Sequence, residues 1–191
     1  MQRNLIVYFG AVLVTGIAAL LYAGQTTFDE ESLHVVLRVS ARLALLIYLL
    51  VFVARPLRQL STGAAGKALL RNRRSIGIAF AAVMSVHLAF LLWANWPDVA
   101  APGMVVYALI FLMLVTSFDG PTRALGPRRW KWLHKTGLYV IGIGLAQAQF
   151  GRILSGVGRP VHYVLAALFL LAIGIRVAAW RKTRHGRAAV A

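Results

Sequence analysis

Four of the five histidines, His34, His87, His134 and His162, fall within or at the ends of long apolar runs. An ionisable ring inside such a run is costly to keep in hydrocarbon, which makes each a candidate for a functional role. Neutral imidazoles on separate helices, with glycines such as Gly137, Gly142, Gly144 and Gly151 allowing close approach, are what a bundle needs to ligate a b-type haem. The same residues would also suit a quinone pocket, or a packed bundle with no ligand in which the rings hydrogen-bond across helices. There is no cysteine, which excludes disulfides, thiolate metal sites and iron–sulfur clusters.

The four rings differ in depth. Counted from Ser75, His87 lies about 18 Å along its helix, near the centre of a bilayer, in the small and apolar stretch "AAVMSVHLAF". It could be a metal ligand, or it could hydrogen-bond to Ser85 or Tyr139. His134 lies only about 6 Å in from Trp130, where headgroups or water could serve it. His34 and His162 stand at the starts of their runs, near the opposite surface. His185 is in a basic tail and reads as solvated.

The elements that must position these residues are apolar helices. Hydrophobic residues make up 60% of the 191-residue chain, and the mean hydropathy is +0.73. This is far above a soluble domain and predicts an integral membrane protein. A bilayer core about 30 Å thick takes roughly 20 helical residues to cross. On that measure the chain is an all-α, six-transmembrane-helix bundle with spans at about 5–22, 34–54, 75–96, 103–118, 130–150 and 161–180. The first run is longer than a signal-peptide core and is read as an uncleaved span. Pro56, Pro97, Pro102, Pro121, Pro127 and Pro160 fall between spans or at their edges, where proline is tolerated.

Charge sets the orientation. Arg55, Arg58, Lys67, Arg71, Arg73 and Arg74 lie between spans two and three, and Arg123, Arg128 and Arg129 between spans four and five. A basic tail, 181–191, carries Arg181, Lys182, Arg184 and Arg187. These stretches are expected on the cytoplasmic side together with both termini. Sorting of this kind explains the net charge of +16 better than nucleic-acid binding does. Trp93, Trp96, Trp130, Trp132 and Trp180 lie near span ends, as interfacial anchors do. The connections are short, with "STGAAGK" at 61–67 the one flexible stretch of note, so residues 1–191 read as a single transmembrane domain. No loop has room for a nucleotide-binding or flavin-reductase domain, and no Gly-rich dinucleotide fingerprint is present.

Three motifs occur in order: "ARPLRQL" at the end of span two, "ALLRNRRSIGIAFAAVMSVH" leading into span three, and "TSFDGPTRALGPRRWKWLHKTGLY" joining spans four and five. Together they resemble the ferric-reductase-like transmembrane family, close to its branch of haem-binding membrane subunits that serve periplasmic methionine sulfoxide reduction. The likeness covers roughly residues 34 to 155. It implies a bacterial inner-membrane bundle that carries electrons through b-type haem, in some members with flavin assistance. The family's third-span ligand maps onto His87 and the "LH" ligand of the fifth span onto His134, so these two are the implied metal ligands. A second fifth-span histidine usually follows about thirteen residues later, where this chain has Gln147.

That departure bears on His87, which by residue count lies about 12 Å above His134 and about 8 Å below Gln147. His87 could pair with His134, or with His162 or His34, or the bundle could lack a haem. Helical phase puts Gln149 within about 60° of the face of His134 and Gln147 about 140° away from it. Arg74 and its basic neighbours border the inner mouth, where they could hold a flavin phosphate, an anionic partner or lipid headgroups. The expected function is electron transfer through one haem b, to or from a separate redox protein or quinone. Any oxidoreductase turnover would then depend on another subunit. The alternative is a cofactor-free member of the family with a structural or assembly role in the membrane.

Overall fold

The computed structural model describes residues 30–93 and 101–188. Among these residues there is no strand. The helices are α1 (Glu30–Leu60), α2 (Ala64–Arg71), α3 (Arg73–Trp93), α4 (Ala101–Val115), α5 (Asp119–Leu125), α6 (Pro127–Leu154) and α7 (Pro160–Ala188). The expected first span, 5–22, lies outside the described residues, as do Trp96 and Pro97. Pro127 and Pro160 occupy the first position of α6 and α7, where the missing N–H has no intrahelical partner to lose.

Three helices among the described residues are long and apolar enough to cross a membrane: Glu31–Leu60, Arg73–Trp93 and Pro160–His185. α4 and α5 make a further candidate as a pair bent by 103°. The expected fourth span, 103–118, therefore stops at Val115, where Thr116 begins the turn. At 28 residues α6 is long enough, but its basic start, two glutamines and Arg152 dilute the apolar run. α7 turns Val164, Leu170, Leu171 and Val177 outward, an apolar surface that suits lipid and would be unfavourable in water.

Two local features differ from the sequence expectation. Pro56 lies inside α1, which continues to Leu60. The stretch read as flexible is helical from Ala64 onward. Gly66 there is buried, and a Cβ would meet the backbone of Arg58 at 3.4 Å, so the missing side chain lets α2 pack against the end of α1.

The chain divides into two compact units. Of the described residues, the first holds 30–48, 74–93 and 101–137, and the second holds 49–73 and 138–188. Ala44, Leu45, Tyr48, Phe80, Val83 and Ile110 are buried in the first, with the rings of Tyr48 and Phe80 5.8 Å apart. Gly137 leaves room for the side chain of Met113. In the second unit Phe52 stacks on Phe169 and meets Tyr139 edge-on, each at 6.3 Å. Lys182 donates to the carbonyl of Leu60 at 3.2 Å, which holds α7 beside the end of α1.

Candidate functional site

His87 is half-buried on α3, and its Nδ1 lies 2.8 Å from Ser40 Oγ on α1. The Ser40 hydroxyl is itself placed by its own helix: it donates to the Val36 carbonyl at 2.7 Å, with the Leu37 carbonyl at 3.2 Å. In the tautomer that carries its proton on Nδ1, the ring donates to Ser40 Oγ and the lone pair is left on Nε2. A metal-binding imidazole is held in this way, with one nitrogen tied back to the protein and the other presented. The candidate partners on sequence were Ser85 and Tyr139. Ser85 instead bonds to the Ala81 carbonyl at 2.8 Å, and Tyr139 accepts from Arg176 at 3.1 Å.

His134 is held differently. Its Nε2 lies 3.1 Å from Thr116 Oγ1, and its ring stacks on Trp130 with centroids 4.3 Å apart. Thr116 Oγ1 also lies 2.7 Å from the Leu112 carbonyl, to which it donates. The carbonyl of Thr116 accepts twice more, from Thr122 Oγ1 at 2.7 Å and from Trp130 Nε1 at 2.8 Å. Gly126 ends α5 at φ 77° and ψ 159°, a region essentially restricted to glycine, and so allows α6 to start at Pro127. The motif that carried most of the family likeness is thus a junction built around Thr116. Trp130, expected as an interfacial anchor, is one of its donors, whereas Trp132 and Trp180 are exposed near their helix ends.

Arg74 forms an ion pair with Asp119 at 2.9 Å, with side chains 53% and 72% exposed. An exposed pair of this kind contributes at most about 1 kcal/mol, so it orients Arg74 more than it stabilises the fold. His34 is half-buried near the start of α1, and its carbonyl accepts from Arg38 Nε at 3.0 Å. His34, Arg74, His87 and His134 all belong to the first unit. No group of three or more His, Asp or Glu able to hold a metal occurs among the described residues, although bis-imidazole ligation requires only two such rings.

The remaining candidates lie in the second unit. His162 is 7% exposed, and its Nδ1 accepts from the Arg159 N–H at 2.9 Å while its own N–H bonds to the Arg159 carbonyl at 2.8 Å. Arg159 precedes Pro160, so His162 acts as the third-residue arm of a capping box that closes the start of α7. Gln147 is exposed and Gln149 is 8% exposed. Among the described residues, Gln149 Oε1 is the buried side-chain polar atom without a hydrogen-bond partner.

Sequence reasoning missed Ser40, Thr116 and Arg176. Ser40 and Thr116 are polar residues inside or at the end of apolar runs, and Arg176 is a charge within the last span; each was visible as an exception to its surroundings.

Comparison with known proteins finds similarity to several curated relatives, among them three described as protein-methionine-sulfoxide reductase heme-binding subunit MsrQ. The one from Polaromonas naphthalenivorans is 29% identical over 132 residues, 62% of this chain and 60% of that protein. The one from Ralstonia nicotianae is 27% identical over 177 residues, 83% and 78% of the two chains. The one from Xanthomonas campestris pv. campestris strain B100 is 30% identical over 152 residues, 73% and 66%. The matched stretch thus spans less than two thirds of the Polaromonas protein. No family model and no solved structure matches.

Proposed function

The chain is a relative of the MsrQ heme-binding subunits, and on that premise we propose that it is a haem-binding electron-transfer subunit of a bacterial inner membrane. It would pass electrons to or from a separate redox protein, with quinone as the other candidate partner. A bound haem supplies a one-electron carrier whose potential is set by axial ligands and burial. The chain's own contribution is to hold and orient imidazole nitrogens in an apolar surrounding.

The observation that carries this reading is the contact of His87 Nδ1 with Ser40 Oγ at 2.8 Å, which occupies one ring nitrogen and leaves Nε2 as the one that would bind iron. His134 is the proposed second ligand. To bind through Nε2 it must give up its bond to Thr116, so it is the more conditional member of the pair. His162 caps α7 through its Nδ1, so it is not preferred. The absence of cysteine supports a non-covalent b-type haem, because thioether attachment of a c-type haem needs thiols.

The test is spectroscopic. Full-length protein purified from a haem-replete host is expected to show a Soret band and a pyridine-haemochrome signal, both lost in His87→Ala. Wild-type protein without either signal would sink the proposal and favour the cofactor-free alternative. Loss in His87→Ala but retention in His134→Ala would keep His87 as ligand and remove His134.

A further inference from the structure

In the second unit, the carbonyls of two consecutive residues of α1 each hold an arginine. Arg73 Nε donates to Val51 at 3.3 Å, and Arg176 Nη1 donates to Phe52 at 2.9 Å. Arg176 is fixed further by Nε on Tyr139 at 3.1 Å and by the rings of Phe52 and Tyr139, whose centroids lie 4.4 and 4.8 Å from its guanidinium carbon. Arg55 follows one turn after Val51, and the positive charges of Arg55 and Arg176 both act on Arg73. Three like charges are thus gathered at one place, two of them half-buried.

The counter-charge is missing from the unit itself. Segments 49–73 and 138–191 contain no aspartate or glutamate. The one ion pair seen among the described residues, Arg74 with Asp119, belongs to the other unit. Clustered cations beside aromatic rings repel one another in a medium that screens poorly, and an anion would relieve that cost. Arg176 uses two of its five N–H groups on protein acceptors, and the rest of its planar fork matches the oxygens of a phosphate better than a point charge would. Arg55 lies in the last two turns of α1, the end that Lys182 of α7 also meets, and basic side chains at the end of an apolar helix are positioned to reach lipid phosphates.

We propose that Arg55, Arg73 and Arg176 form a binding site for a single phosphate group, carried by an anionic phospholipid or present as free phosphate. The proposal uses none of the histidines, so it stands or falls independently of haem binding.

The experiment uses the full-length protein in detergent, with native mass spectrometry after exposure to phosphatidylglycerol, phosphatidylcholine or inorganic phosphate. Wild type is expected to retain one phosphatidylglycerol in preference to phosphatidylcholine. Arg73→Gln and the more exposed Arg55→Gln should each weaken retention at least five-fold, while Arg181→Gln on the tail should leave it unchanged. Retention of inorganic phosphate that is sensitive to Arg73→Gln, with no lipid preference, would identify free phosphate as the ligand of the same site. Equal lipid retention in Arg73→Gln, Arg55→Gln and Arg181→Gln, with no phosphate bound, would overturn the proposal and leave a diffuse basic surface. The Soret band, read on the same samples, reports separately on the haem proposal.

Discussion

Arg176 on α7 donates to the backbone carbonyl of Phe52, the acceptor that Pro56 leaves stranded four residues further along α1. In an unbroken helix the N–H of residue 56 would close that bond, and proline has none. A stranded carbonyl in a low-dielectric setting costs about 1–3 kcal/mol, so α1 runs through its proline because a side chain from another helix replaces the missing donor. Arg176 is half-buried for the same reason: its charge is spread over a carbonyl, a phenol and two ring faces.

This dependence is open to a double-mutant cycle. Arg176→Met is expected to destabilise the protein by about 2 kcal/mol, from the lost hydrogen bond and cation–π contact. In a Pro56→Ala background the helix supplies its own donor to Phe52, so the same substitution should cost about 1 kcal/mol less. Denaturant unfolding of the four proteins reads the coupling, and strict additivity would show that Arg176 does not substitute for the missing N–H.

How much of this was legible in the sequence follows from the range of the interactions involved. α1, α3, α6 and α7 were each located by a long apolar run, but α1 and α7 continue past the expected ends at 54 and 180, to Leu60 and Ala188, because helix persists beyond the apolar stretch. α2 was hidden because "STGAAGK" has the composition of a loop, and its helix depends on Gly66 meeting the backbone of Arg58. The bend after Val115 was hidden as well, because the residues up to Phe118 remain apolar enough to extend the span. In the candidate site, helical phase left both glutamines open, because a distorted turn among the glycines of α6 could have brought Gln147 to the interior face; Gln149 is the buried one. The partner of His87 was not accessible in this way: Ser40 is 47 positions away, and nearer polar residues competed for the assignment.

If Ser40 fixes the His87 tautomer, its loss should act on the ligand without removing it. Ser40→Ala is expected to weaken haem affinity roughly 10- to 100-fold, the usual penalty for losing the group behind a metal-binding histidine. His87→Ala should abolish binding at the same concentrations. Haem titration of the apoprotein followed at the Soret band measures both. Wild-type affinity in Ser40→Ala would remove the hydroxyl from the account.

The Thr116 junction predicts an order of costs. Trp130→Phe keeps an aromatic ring for His134 to stack on but deletes the Nε1–H donated to the Thr116 carbonyl, and should cost about 1 kcal/mol. Gly126→Ala forces a side chain into backbone angles that are essentially restricted to glycine, and should cost about 1–3 kcal/mol. Thermal or denaturant unfolding distinguishes the two. A Gly126→Ala protein as stable as wild type would mean that the turn relaxes to another conformation.

The two glutamines of α6 should respond to the same substitution with different outcomes. Gln149 is buried with Oε1 unpaired, so it bears the desolvation of an amide without the return of a hydrogen bond. Replacing it with Leu removes that penalty at similar volume and is expected to raise stability by about 1 kcal/mol. Gln147 is exposed, so Gln147→Leu should change stability by no more than about 0.5 kcal/mol in detergent. Neither should alter the Soret band, because the ligand role rests on His87 and His134. A drop in stability for Gln149→Leu would show that Oε1 is satisfied after all, and a lost Soret band would place the amide in the haem site.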